Sequence, residues 1–226
     1  MLWVNLVLLI ITVILGSFLI QERFQTKPII PIYIISLPNR KEKLADLLLK
    51  IKPSSSYRVE YVHVVDGNQF IEEFDSVKKG QIDRWLSHMV VWGMIARSDA
   101  PYAMILEDST DIQLPAQFDR IESYIDQLPL EWKFLYLGGY INNKQFAVKY
   151  KSDIYRPNGT IWHNHAYLIS RQASNELVNR MSYLETIKKR DQWQVLPLDE
   201  WLTDKTNGLL DSIYIVQPNI ANFTSI

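Results

Sequence analysis

Cysteine is absent from all 226 residues. That excludes a disulfide framework, a thiolate nucleophile and any cysteine-ligated zinc site. It leaves the compartment open, because a chain without thiols suits either redox environment. An excess of one charge is also lacking. With 24 basic and 25 acidic residues, nothing favours a nucleic acid or an anionic surface as partner. There is no glycine-rich phosphate loop, no Gly-x-Ser-x-Gly elbow, no His-Glu-x-x-His and no calcium loop. What is present is a hydrophobic content of 47%, enough for one domain with a real core. Aromatic residues make up 12%; such rings stack on sugars, but large cores use them as well.

The first long apolar run is N-terminal. Leu2 to Ile20 carries no charge and as a helix would span about 28 Å, close to the thickness of a bilayer's hydrocarbon core. A basic leading region is missing and the run exceeds a signal peptide's apolar stretch. The expectation is therefore a retained single-pass anchor over residues 1–21, a linker over 22–27 and one domain over 28–226. Arg23, Lys27, Arg40, Lys41 and Lys43 follow the run, which by the positive-inside rule favours a cytoplasmic domain. A luminal domain behind a type II anchor remains the alternative, and the sequons Asn158-Gly159-Thr160 and Asn222-Phe223-Thr224 do not decide between them.

Beyond the linker, strand and helix patterns alternate. Ile29 to Leu37 is a nearly continuous apolar run and predicts a buried strand, with Pro31 near its start or at an unpaired edge. Leu44, Leu47, Leu48 and Ile51 have helical spacing. Tyr57 to Val65 alternates as a strand and closes on Asp66-Gly67. Gln81 to Arg97 predicts a helix, Tyr102 to Leu106 a strand, Ala116 to Leu128 a helix and Phe134 to Leu137 a strand stopped by Gly138-Gly139. Thr160 to Ser170 predicts a strand, Gln172 to Met181 a helix, Leu196 to Thr203 a short helix and Ser212 to Val216 a last strand. This order predicts an α/β domain with a mostly parallel sheet.

In open α/β sheets, ligands bind beyond the carboxyl ends of the strands. That rule selects Asp66-Gly67, Glu107-Asp108 and Gly138-Gly139. Glu107, Asp108 and Asp111 lie within five residues, where their mutual repulsion calls for a cation. Mg²⁺ or Mn²⁺ would answer it and could hold a diphosphate; an acidic loop capping the next helix is the alternative. His163 and His165 would share one strand face, either as ligands or as packed residues. Asp199 and Glu200 beside Trp201 could place a general base near a sugar platform, or simply begin a helix. Ser87-His88 within the helix is uninformative alone.

Taken in order, these segments resemble family-25 glycosyltransferases, which build lipopolysaccharide sugars and galactosylate collagen. The resemblance rests on Ile32 to Leu37 followed by Arg40, on Val64-Val65-Asp66-Gly67, and on Gly80-Gln81-Ile82 with Ser87-His88 and Trp92. It continues through Met104-Ile105-Leu106-Glu107-Asp108, Leu135-Tyr136-Leu137-Gly138, His165 to Arg171 with Ala173, and Pro197 to Leu202. The resemblance implies a GT-A-like (Rossmann-like) fold, a UDP-hexose donor (galactose or glucose), a divalent metal and inverting transfer to a glycan or protein hydroxyl. It implies that Glu107 and Asp108 meet the donor diphosphate, with Arg40, Asp66, Ser87, His88 and Gly138 around the donor. Asp108, with Asp111 and His165, would hold the metal, and Asp199 would be the catalytic base. The chain departs from the pattern twice: Ser109 stands for an Asp, and Asp83-Arg84 for Gly-Cys. A sugar- or partner-binding protein that has lost catalysis is the rival reading.

Overall fold

The computed structural model describes residues 29–51, 56–65, 79–141, 147–187 and 197–224. The expected anchor and linker, and the expected donor residue Asp66, lie outside the described residues. Among the described residues no helix is long and apolar enough to cross a membrane.

The core is one eight-stranded sheet with helices on both faces. Its strands run in the order β2 (Tyr57–His63), β1 (Ile30–Ser36), β3 (Tyr102–Glu107), β10 (Ala166–Ser170), β5 (Phe134–Tyr136), β11 (Ile213–Val216), β8 (Ile154–Pro157) and β7 (Ala147–Lys151). β1 pairs in parallel with β2 and β3, and β11 with β5. β10 runs antiparallel to β3 and β5, β8 antiparallel to β11, and β7 antiparallel to β8. The sheet is therefore mixed, which corrects the expectation of a mostly parallel one. The reversal comes from β10, which enters the centre of the sheet against its neighbours, and from the β7–β8 hairpin, which extends one edge. Pro31 lies at the start of β1, before that strand begins to pair with β3, so its missing N–H costs no bond on that side.

Period-two alternation distributes the core over both faces. On one face Tyr33, Ile35, Ala103, Ile105, Phe134, Tyr136, Tyr167 and Ile169 meet two long helices. These are α2 (Lys79–Ala96), through Trp85, Trp92 and Ile95, and α5 (Arg171–Ile187), through Ala173 and Leu177. On the other face Ile32, Ile34, Met104, Leu106, Leu135 and Leu168 meet α1 (Lys41–Lys50), through Leu47, and the segment that follows β4 (Thr110–Ile112).

That segment, expected to form one helix, is two short ones, α3 (Pro115–Phe118) and α4 (Ile121–Ile125). Phe118, Ile121 and Tyr124 are all buried at a spacing of three, and the Arg120 N–H donates to the Gln117 carbonyl at 2.9 Å. The turn tightens to three residues to keep these rings and methyls on one side. The expected strand Thr160 to Ser170 is likewise broken. β9 (Ile161–Trp162) pairs with β6 (Tyr140–Ile141) in a separate two-stranded sheet, and β10 begins at Ala166. Between them His163 takes φ +70°, a left-handed conformation that ends a strand. The shared strand face expected for His163 and His165 therefore does not exist.

Candidate active site

The ends of β1 and β3 lie side by side and open into a cavity of about 250 Å³, lined among others by Arg40, Arg84, His88, Glu107, Asp108 and Phe223. Its floor is set by β3. The Glu107 N–H donates to the His165 carbonyl at 2.8 Å, and the Asp108 N–H to the Ile35 carbonyl at 3.0 Å. The two acids thus leave the sheet with their backbones tied to opposite neighbours, β10 and β1.

Asp108 is held by two donors. The Leu37 N–H reaches its Oδ2 at 3.0 Å and Arg40 Nη1 reaches Oδ1 at 3.1 Å. Glu107 accepts from Arg84, with Nε at 3.2 Å from Oε1 and Nη2 at 3.4 Å from Oε2. It also accepts from His88 Nε2 at 3.1 Å and Ser109 Oγ at 3.4 Å. Burial works to raise the Glu107 carboxyl, but the His88 hydrogen bond and the Arg84 charge prevail and hold it below the usual carboxylate range. Glu107 is therefore a fixed anion at neutral pH.

Behind Glu107 runs a buried relay. The Trp92 indole N–H donates to Tyr167 Oη at 3.0 Å, and Tyr167 Oη lies 2.7 Å from His88 Nδ1. Burial pushes the Tyr167 phenol well above its ordinary value, so it keeps its proton and donates it to Nδ1. His88 then carries its own proton on Nε2 and donates to Glu107. The direction of the whole chain follows from the carboxylate at its end, which can only accept. His88 thus orients Glu107 from within the core. Ser87 positions as well: its Oγ donates to the Asp83 carbonyl at 2.6 Å and accepts the Val65 N–H at 2.9 Å, pinning the end of β2 to α2.

Asp199 opens α6 (Leu198–Thr203) and is 6% exposed. The His163 N–H reaches its Oδ2 at 2.8 Å and Asn164 Nδ2 its Oδ1 at 3.3 Å. Asn164 accepts from the Tyr136 hydroxyl at 3.0 Å. The left-handed turn at His163 thus sends its N–H to a carboxylate in place of a strand ladder. Arg84 Nη1 lies 4.0 Å from Asp199 Oδ1, so one guanidinium spans Glu107 and Asp199. Trp201, the expected sugar platform, packs edge-on against Trp85 with centroids 5.1 Å apart and serves the core.

The three expected metal ligands do not converge. Asp111 turns to Lys50 and Gln113. His165 lies beneath Phe223, its Nε2 3.4 Å from the Ala221 carbonyl. Burial lowers its affinity for a proton, against the pull of the Glu107 charge, so the ring is neutral. Among the described residues no group of three or more His, Asp or Glu side chains is placed to hold a metal ion. Among the described residues, the side chains do not fit a divalent site built by the protein. Gly138 is not among the residues that line the cavity. A Cβ there would come within 1.8 Å of the Ala221 carbonyl oxygen, so glycine is needed where the C-terminal segment crosses β5.

Two lining residues escape a reading of the sequence. Arg84 registers there only as a departure from a pattern. Phe223 belongs to β12 (Ala221–Phe223), which pairs antiparallel with β4 and stacks Phe223 on His163 at 4.6 Å. A three-residue strand after the last apolar run has no periodicity from which it could be recognised.

The model of glycosyltransferase family 25 (LPS biosynthesis protein) matches residues 29–200, and the chain belongs to that family. Procollagen galactosyltransferase 2 from Homo sapiens is 23% identical over 196 residues, covering 76% of this chain and 29% of that protein. The Mus musculus protein of the same name gives the same figures. The chain thus spans less than a third of the length of these curated relatives. Among solved structures, a glycosyltransferase involved in glycosylation of the major capsid of PBCV-1 aligns over 88% of this chain and 95% of its own, at 10% identity and a TM-score of 0.47. The glycosyltransferase GlyE of Streptococcus pneumoniae TIGR4 covers 85% of this chain and 46% of its own, at 7% identity and a TM-score of 0.45.

Proposed function

We propose that the chain transfers a hexose, galactose or glucose, from a UDP-sugar to a hydroxyl of a glycan or protein, with inversion at the anomeric carbon. The observation that carries this reading is the spanning of Glu107 and Asp199 by Arg84 at the mouth of β1 and β3. It places an acid-lined cavity next to a second, separately held carboxylate. The galactosyltransferase relatives support galactose as the first sugar to try.

In this reading the UDP-sugar lies in the cavity against Arg40, Glu107 and Asp108, with Phe223 as an apolar wall. The acceptor oxygen bonds to the anomeric carbon while the bond from that carbon to the diphosphate oxygen breaks. The electron pair leaves with UDP, and the acceptor's proton passes to Asp199. The His163 N–H and the Asn164 amide aim the Asp199 carboxylate and keep it from rotating.

The test is transfer from UDP-galactose and UDP-glucose to panels of glycan and peptide hydroxyl acceptors, with wild type and Asp199→Asn. Wild type should form product. The variant should lose roughly 10²–10⁴-fold in kcat, the share of a positioned base, and keep its affinity for UDP. Full turnover by Asp199→Asn would remove that residue from the chemistry. UDP binding without transfer to any acceptor would point to a sugar-binding role.

A further inference from the structure

Two guanidinium groups face the same small cavity, and each is anchored so that part of it stays free. Arg84 turns Nε and Nη2 toward Glu107. Its Nη1 stands 4.0 Å from Asp199, too far for a hydrogen bond, which leaves N–H groups facing the gap between the acids. Arg40 binds Asp108 through Nη1 alone, and its Nη2 and Nε make no hydrogen bond among the described residues. Arg40 and Arg84 are 21% and 33% exposed, open to a ligand yet partly shielded from bulk water.

The three carboxylates expected to recruit a divalent ion, Glu107, Asp108 and Asp111, are already answered. Asp108 has Arg40 and a backbone N–H, Glu107 has Arg84 and His88, and Asp111 belongs to Lys50 outside the cavity. The two departures from the family pattern also meet on one atom. Arg84 Nη2 and Ser109 Oγ both donate to Glu107 Oε2.

We infer that Arg84, with Arg40, carries the diphosphate of the donor in this chain, so that binding and departure of the nucleoside diphosphate do not depend on a divalent cation. The inference rests on the UDP-sugar reading above. A guanidinium suits this role because it stays protonated and presents paired N–H donors to phosphate oxygens. As the bond from the anomeric carbon to the diphosphate oxygen breaks, the electron pair settles on that oxygen. The Arg84 charge is already in place to stabilise it, while the acceptor's proton goes to Asp199. Arg84 thereby touches both halves of the reaction: its Nη1 edge faces the base and its charge faces the leaving group.

The experiment is UDP affinity by calorimetry and sugar transfer by product formation, each in EDTA and in millimolar Mn²⁺ or Mg²⁺, on the full chain. Wild type should bind UDP and turn over in EDTA within about twofold of its value with metal. Arg84→Gln should lose roughly 10²–10³-fold in kcat, the usual effect of deleting one donor to a developing charge, with no rescue by Mn²⁺. Arg84→Lys should fall between the two, since it keeps the charge and loses the fork. Loss of wild-type turnover in EDTA with recovery in Mn²⁺ would overturn the inference without needing any variant to fold. Metal-free turnover that Arg84→Gln leaves unchanged, in a variant with a normal melting temperature, would overturn it too. No UDP binding in any buffer would instead overturn the UDP-sugar reading itself.

Discussion

Gly138 shows how a single residue can be conspicuous in a sequence for a reason other than ligand binding. It follows a strand, where a glycine often marks a site. In the structure its role is packing, since a Cβ would stand 1.8 Å from the Ala221 carbonyl oxygen and 2.9 Å from His165 Nε2. Neither neighbour yields easily, because one is backbone and the other is a buried ring. Gly138→Ala must displace Ala221 from the Leu137-Gly138 backbone, an overpacking cost of about 1–3 kcal/mol. The expected result is a melting temperature lower by several degrees and a weaker affinity for UDP, since β12 carries Phe223 into the cavity. Gly80→Ala is the control: nothing lies within 4 Å of the added methyl and helix propensity favours alanine. Equal melting temperatures for the two variants would contradict this account of the C-terminal crossing.

At the scale of elements, β2 is fastened to the far face by Tyr57. Its hydroxyl donates to the Phe118 carbonyl at 3.2 Å and its ring packs on Phe118 at 5.7 Å. Burial, reinforced by the charges of Glu122 and Asp119, pushes the Tyr57 phenol up to about 12. A group whose value is raised by folding contributes stability that is whole below its unfolded value, near pH 10, and lost as pH rises toward about 12. Tyr57→Phe should be less stable at pH 8 by about 0.5–1.5 kcal/mol, the hydrogen bond's share. The gap in urea midpoint between the two proteins should then narrow above pH ~10, and a gap constant with pH would show that the phenol is not held neutral by the fold. The same scale shows what the sequence can reveal. β1, β3, α1 and α2 are legible because their periodicities are uninterrupted and their ends are marked. The break at His163 is not, because a non-glycine residue with φ +70° leaves no trace in composition; Asp199, 36 residues away, accepts its N–H. The β7–β8 hairpin escapes notice because its strands are short and half-exposed.

Across the whole molecule the site is assembled from both ends of the chain. Arg40 follows β1, Arg84 and His88 come from α2, Glu107 and Asp108 end β3, Asp199 opens α6 and Phe223 lies near the end of the described residues. Glu107 and Asp108 can be read from the sequence, since acids after a buried strand fall where α/β sheets bind ligands. Their partners cannot, because a guanidinium reaching across from a helix is a three-dimensional fact. Such a site makes ligand binding a property of the entire domain, since no part of the chain forms the cavity without the rest. UDP at about 100 times its dissociation constant should therefore stabilise the fold by about 2.7 kcal/mol. For a chain of this length that corresponds to a shift of roughly 5–10 °C in melting temperature. The shift should appear in one transition, equally by tryptophan fluorescence, which reports the face holding Trp85 and Trp92, and by far-ultraviolet dichroism, which reports every element. A shift seen by fluorescence alone would mean that α2 and its cavity melt separately from the far face, and that the two layers on either side of the sheet are not one cooperative unit.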